Sequence, residues 1–170
     1  MTVTVSPLRS EDLPFLWEMC AVAAYVPEVT AQSAPGLARY VNDWGRPDDT
    51  AFTAWDADSG ARAGVIWMRL FPSSDPGYGY YDEHTPEMGL GVAEAYRGGG
   101  VGRQLLMALV DAARGRYPGI TLSVFEWNHA AIRLYQSAGF AKFAEYPNSQ
   151  GDSSWRMRVA FGPPSTATPA

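Results

Sequence analysis

The segment Tyr96-Arg97-Gly98-Gly99-Gly100-Val101-Gly102-Arg103 constrains the fold of this chain more than any other. It follows the apolar run Met88 to Val92 and opens a helical pattern that begins near Val101. Its four glycines, at positions 98, 99, 100 and 102, leave backbone N–H groups uncovered by side chains. A helix N-terminus adds further unpaired N–H groups and the positive end of the helix dipole. A strand, a glycine loop and a helix in that order make a site for a phosphate or pyrophosphate.

The rest of the chain limits which phosphate compound this can be. A length of 170 residues suits one domain with a full hydrophobic core, read here as residues 1–162, followed by a mobile tail over 163–170. The formal net charge of −5 disfavours general binding to nucleic acid or to a membrane surface, both of which need basic patches. Cys20 is the only cysteine, so neither a disulfide framework nor a cysteine metal site is expected, and no metal is required. The N-terminus lacks a basic segment followed by an apolar one, and no run approaches the ~20 apolar residues of a membrane span. These features imply a soluble cytoplasmic protein.

Thr2 to Ser6 alternates as a short strand. Ser10 reads as the N-cap of a helix that turns Leu13, Leu16, Trp17 and Cys20 to one face, with Pro14 tolerated in its first turn. A second helical stretch is expected around Gly36 to Asp43. Thr50 to Asp56 and Ala63 to Phe71 form a hairpin across Asp58-Ser59-Gly60. An acidic and aromatic loop follows, from Pro72 to Pro86. Glu87 to Val92 is then a strand, and Val101 to Arg114 an amphipathic helix with Val101, Leu105, Leu106, Leu109, Val110 and Ala113 on one side. Ile120 to Phe125 is a strand, and Asn128 caps a helix ended by Gly139. Phe140 to Tyr146 and Ser154 to Phe161 complete the set. The central strand–helix–strand predicts one parallel pair, and the N-terminal half predicts antiparallel hairpins. The fold class is therefore α/β, a mixed and mostly antiparallel central sheet with helices on both faces.

A P-loop needs lysine and a hydroxyl residue after its last glycine, but Arg103-Gln104 stands there. A dinucleotide loop needs Gly-x-Gly-x-x-Gly tight against the strand, whereas Leu105 occupies its third glycine position and Ala93 to Arg97 intervene. The better match is Arg97-Gly98-Gly99-Gly100-Val101-Gly102 to Arg/Gln-x-x-Gly-x-Gly/Ala. Downstream, Asn128-His129-Ala130-Ala131-Ile132-Arg133-Leu134-Tyr135-Gln136-Ser137-Ala138-Gly139-Phe140 matches Asn-x-x-Ala-x-x-Leu-Tyr-x-x-x-Gly-Phe. On these two segments, from about Glu87 to Phe140, the chain resembles the GNAT superfamily of acyl-CoA-dependent N-acyltransferases. It departs from the family pattern at Glu94, where proline is frequent, and at Gly99, where a basic residue is frequent.

The resemblance implies acetyl-CoA as cosubstrate and a small-molecule or peptide amine as acceptor. It implies a bulge that splays the fourth strand from the fifth, with pantetheine inserted between them. The backbone of Leu90, Gly91 and Val92 would bond its amides, and the Val92 N–H would polarise the thioester oxygen. Gly98, Gly99, Gly100, Val101 and Gly102 would cradle the pyrophosphate, with Arg97 and Arg103 beside it. Asn128 would contact the pantetheine arm as well as cap its helix.

The attacking amine must lose a proton, because most amines are charged at neutral pH. Glu87 is the proposed base, acting through water. Burial beside Tyr78, Tyr80 or Tyr81 would raise its pKa, and Asp82, Glu83 and His84 are alternatives. Tyr135 stands at the family's general-acid position and would protonate, or hydrogen-bond, the departing CoA sulfur; by periodicity alone it belongs to a core stripe with Ala131, Leu134 and Ala138. The 27–49 region and loop 72–86 would wall the acceptor site, where Asp75, Asp82 and Glu83 suit a cationic amine. With no cysteine in the matched motifs, direct attack in a ternary complex is expected rather than an acetyl-enzyme. The competing reading is a non-catalytic acyl-CoA sensor or interaction domain, which needs neither Glu87 nor Tyr135. Homodimerisation is common in the family, but the sequence shows no interface.

Overall fold

The computed structural model describes residues 1–162; the segment read as a tail lies outside the described residues. Seven strands form one sheet in the order β1-β2-β3-β4-β5-β7-β6. They are β1 (Val3–Pro7), β2 (Thr50–Asp56), β3 (Arg62–Arg69), β4 (Glu87–Val92), β5 (Gly119–Phe125), β6 (Ala141–Pro147) and β7 (Ser153–Ala160). Every neighbouring pair is antiparallel except β4 and β5. The connection between those two is α4 (Val101–Ala113), the crossover that parallel strands require.

The core lies on both faces of this sheet. On one face, α4 and α5 (His129–Ser137) bury Leu105, Leu109, Ile132 and Tyr135 against Ile66, Met88, Leu122 and Met157. On the other, α1 (Leu13–Ala24) sets Leu16, Met19 and Cys20 against Val65, Trp67, Tyr40 and Phe71. The α1 face was legible, but its cap was not. Ser10 lies inside a short 3-10 turn, and Asp12 is the residue before the helix. The Asp12 carboxylate accepts the Arg9 N–H at 3.0 Å and pairs with Arg62 at 2.7 Å, fully buried, so it fastens the start of α1 to β3.

The helix expected at 36–43 also differs. Two short helices stand there instead, α2 (Glu28–Ser33) and α3 (Pro35–Ala38), followed by turns. Arg69, at the end of β3, holds those turns down. Its guanidinium pairs with buried Asp49 at 2.7 Å and donates to the carbonyls of Arg39 and Asn42 at 2.8 and 2.7 Å. A buried arginine needs such complete pairing, and it thereby draws the segment carrying Tyr40 over β3 and β4. No helix among the described residues is long and apolar enough to cross a membrane.

Candidate active site

The parallel pair opens as it leaves its start. Glu87 opposite Thr121 is the only register pair between β4 and β5, next to the bond from the Thr121 N–H to Pro86 O at 3.0 Å. Beyond it the strands diverge. The bulge expected in β4 is absent: β3 and β4 pair without interruption from Gly64–Val92 to Arg69–Glu87. The divergence lies on the β5 side alone.

That unbroken register decides which peptide groups face the gap. Ala93 N–H donates to Ala63 O at 2.9 Å, so residues in phase with Ala93 turn their peptide groups toward β3. Gly91 is in that phase and pairs across from Val65. Leu90 and Val92 are in the opposite phase and face the gap. Of the three residues expected to bond a pantetheine arm, Gly91 therefore has a different role. A Cβ on it would lie 2.7 Å from Met19 O, so its missing side chain is what lets α1 lie against β4.

The glycine loop follows β4 after a hydrogen-bonded turn from Ala93 to Arg97. Gly98 and Gly100 adopt φ of +77° and +83°, a region that favours glycine, and Gly100 is the residue before α4. Among the described residues, no N–H from Gly98 through Arg103 donates to a protein acceptor; the first helical bond runs from Gln104 to Gly100 O at 3.1 Å. A row of N–H groups at a helix N-terminus is thus left for an anion. Arg97 folds back, its Nε donating to Val92 O at 3.2 Å. Arg103 lines a shallow groove between α4 and α5 with Leu134, Ser137 and Ala138. Gly102 sits at the junction, where a Cβ would lie 3.3 Å from Leu134, 3.6 Å from Leu90 and 3.8 Å from Val92.

Helix α5 explains its own sequence pattern. Asn128 Oδ1 accepts the Ala131 N–H at 3.3 Å, the expected cap. At the other end Gly139 takes φ +92°, its N–H reaches Gln136 O at 3.0 Å, and the Phe140 N–H reaches Tyr135 O at 3.1 Å. This is a complete Schellman motif, and Phe140 packs on the Tyr135 ring at 5.9 Å. The Gly-Phe pair therefore holds the backbone and ring of Tyr135. That phenol is 8 % exposed and makes no hydrogen bond among the described residues. Burial holds its pKa well above the usual value, and nearby Tyr25 pushes the same way.

Tyr25 had no signal in the sequence beyond its aromatic character. It ends α1 with φ +56°, accepts a hydrogen bond from Asn128 Nδ2 at 3.0 Å, and packs against Trp127 at 4.9 Å and Phe125 at 5.7 Å. It joins the end of α1 to the start of α5.

Glu87 lies on the α1 face of β4, 2 % exposed. A strap formed by Gly77, Tyr78 and Gly79 covers its carboxyl. The Gly79 N–H donates to Oε1. A Cβ on Gly77 would collide with Oε2, and one on Gly79 would lie 2.5 Å from Oε1. Burial pushes the carboxyl up to about 7, against the opposing pull of Tyr40, the Gly79 N–H, Arg39 and Arg156. The Tyr40 hydroxyl is close enough to favour the ionised form, but no hydrogen bond to Oε2 is made. Tyr40, not the expected tyrosines of the strap loop, is the ring beside this acid; Tyr78 and Tyr81 are 44 % and 47 % exposed.

The acids expected to attract a cationic acceptor have local duties. Asp75 pairs with Arg39 at 2.9 Å, Asp82 accepts the His84 N–H at 2.9 Å, and Glu83 accepts the N–H and hydroxyl of Ser73 at 2.9 and 3.0 Å. The site wall that sequence reasoning missed comes from the far side of the sheet. Ser123 and Tyr146 share a hydrogen bond of 2.6 Å, Tyr146 stacks on Tyr78 at 6.2 Å, and Arg156 lies 4.5 Å over Tyr146. No group of three or more potential ligands placed to hold a metal ion is present among the described residues. Cys20 is buried, with its thiol pushed up to about 12 by desolvation.

This arrangement has close counterparts. Over 88 residues the chain is 40 % identical to the N-alpha-acetyltransferase RimI of Mycobacterium tuberculosis, covering 50 % of this chain and 52 % of that protein. It is 32 % identical over 111 residues to a mycothiol acetyltransferase of Jonesia denitrificans, covering 65 % of this chain and 33 % of that protein. The chain thus spans about half the length of the first relative and a third of the second. A GCN5-related N-acetyltransferase from Kribbella flavida superposes with a TM-score of 0.67 at 26 % identity, covering 94 % and 98 % of the two chains. The Escherichia coli ribosomal-protein-S18-alanine N-acetyltransferase has the same fold, with a TM-score of 0.70 at 22 % identity and coverage of 99 % and 100 %. The model of the acetyltransferase (GNAT) family matches residues 8–140. With its splayed parallel pair, free glycine-loop edge and matched sequence, this chain belongs to the GNAT acetyltransferase family.

Proposed function

We propose that the chain transfers an acetyl group from acetyl-CoA to a primary amine, by direct attack within a ternary complex in the cytoplasm. The observation that carries this reading is a pair of unpaired backbone stretches, the gap edge at Leu90 and Val92 and the N–H row of Gly98 to Arg103, joined by the hydrogen-bonded turn from Ala93 to Arg97. An extended chain with amides at one end and a pyrophosphate at the other matches that surface. The Salmonella typhimurium protein yncA, solved with acetyl-CoA, has the same fold with a TM-score of 0.69 at 18 % identity.

In this reading Leu90 and Val92 bond the pantetheine arm as an extra strand would. The Val92 N–H polarises the thioester oxygen, a contribution of about two to three orders of magnitude in rate for one aimed donor. Gly98 to Gly102 and Arg103 hold the pyrophosphate, and Arg97 joins them by leaving Val92 O. Asn128 keeps its cap and turns Nδ2 from Tyr25 to the arm. Glu87 takes the amine proton through a relay, since the strap covers its carboxyl. A carboxyl near 7 is half ionised at neutral pH and is a far better base than one at its usual value. Tyr135 serves as a hydrogen-bond donor to the leaving sulfur. A phenol held well above its usual pKa does not surrender its proton fully to a thiolate near ~8.5.

Two measurements test the reading. Calorimetry should show acetyl-CoA and CoA binding and ATP binding much more weakly. An amine panel with thiol-release detection should show turnover. Tight acetyl-CoA binding without turnover of any amine would instead support a sensor.

A further inference from the structure

The acceptor side of the site carries two arginines that form no salt bridge among the described residues. Arg156 and Arg158 of β7 sit opposite Ser123 and Thr121 of β5, on the same face of the sheet. Arg156 donates Nε–H to Tyr78 O at 2.6 Å, which fixes the guanidinium above the Tyr146 ring and leaves its terminal nitrogens for another partner. Arg158 lies 4.3 Å over Tyr81, and its buried Nε–H has no hydrogen-bond partner. Among the described residues neither arginine forms a salt bridge.

The acids of the neighbouring loop form no salt bridge with either arginine. Asp75 pairs with Arg39, and Asp82 and Glu83 are bonded within their own loop. Glu87 feels Arg156 but lies beneath the strap, where the Gly79 N–H and the Tyr40 ring enclose it. Tyr78, Tyr81 and Phe143, 44, 47 and 39 % exposed, complete an aromatic rim around the arginines.

A polyamine brought to this wall meets like charge. A guanidinium already fixed at Nε presents its remaining N–H fork in one orientation, and a carboxylate fills such a fork with charge-assisted bonds. We propose that the acceptor is a primary amine that carries a carboxylate close to the nitrogen, and that Arg156, backed by Arg158, binds that carboxylate. The proposal rests on the acetyltransferase reading and reverses the preference for cationic amines expected from the loop acids.

The test uses matched acceptors at saturating acetyl-CoA. One arm compares free amino acids with their amides. A second compares short peptides bearing aspartate or lysine as the second residue. Spermidine serves as the cationic reference. The carboxylate-bearing member of at least one pair should have a roughly ten- to hundredfold higher kcat/KM, mostly through KM. The arm in which this occurs distinguishes a free amino acid from an acidic peptide. Arg156→Gln should abolish the preference while the KM for acetyl-CoA stays unchanged, and Arg156→Lys should retain part of it. Equal or better use of the neutral and cationic members overturns the proposal, as does a preference that survives Arg156→Gln. If no amine turns over, the acetyltransferase reading fails, and tryptophan fluorescence titration with the same compounds decides the anion site separately. Carboxylate-dependent binding lost in Arg156→Gln then supports the arginine site, and its absence overturns it.

Discussion

At the scale of single residues, the proposed base Glu87 couples its own protonation to stability. Its carboxyl is raised to about 7 by burial, so the folded state holds a proton that the unfolded state releases near ~4.5. Stability attributable to this group therefore falls as pH rises through that window and levels off above about 7. Glu87→Gln should leave the denaturation midpoint unchanged near pH 4.5 and raise stability by about 3 kcal/mol above pH 7. The same substitution should flatten the rise of rate around pH 7 and lower turnover at least about a hundredfold. A protein that becomes more stable as it loses activity separates a base from a structural acid. Tyr135→Phe keeps the ring on Phe140 and removes only the donor. It should lower kcat about ten- to hundredfold with little change in the KM for acetyl-CoA, as steady-state kinetics would show. The sequence alone singles out both residues as candidates. Their surroundings are not legible there, because Tyr40 and Arg156 reach Glu87 from distant segments and the preceding loop folds Gly79 back over it.

At the scale of elements, the gap between β4 and β5 follows from the short pairing at Glu87–Thr121 and from the alternation of β4. Amide hydrogen exchange should show this phase directly. Saturating acetyl-CoA should slow exchange at Leu90, Val92 and the Gly98–Arg103 amides, and leave Gly91 unchanged because its N–H already serves β3. Protection at Gly91 alone would contradict the register. Gly100→Ala places a Cβ in open space but forces a non-glycine residue to φ +83°. It should cost about 1 kcal/mol and raise the KM for acetyl-CoA. Strand and helix limits were read well from periodicity, and β4 was placed at its observed ends. Alternation alone says which residues share a face, but only a register says which edge a peptide group serves. For that reason the sequence alone does not separate Gly91 from Leu90 and Val92. The 27–49 segment misled for a different reason: the Arg69–Asp49 pair and two carbonyls shape it, and none of these contacts is local.

At the scale of the whole molecule, the fold is a sheet with one interior gap, and a ligand that fills the gap should bind the folded chain alone. Acetyl-CoA at 100 times its Kd should stabilise the protein by about 2.7 kcal/mol, an upward Tm shift of roughly 5–10 °C. The overall architecture was legible because strand–helix–strand order and crossover rules leave few topologies. Charge was not, since net charge says nothing about where arginines gather, and of the acids that suggested a cationic acceptor Asp75 pairs with Arg39 while Asp82 and Glu83 bond within their own loop. The strap over Glu87 also ties distant positions into one epistatic unit. The nearest atoms that a side chain at 77 meets belong to the side chains of Glu87 and Tyr40, whereas one at 79 also meets the Leu122 backbone. Gly77→Ala should therefore be rescued by shortening residue 87 and Gly79→Ala should not. Sequence drift at 77 is then open only to lineages that have already given up the buried acid.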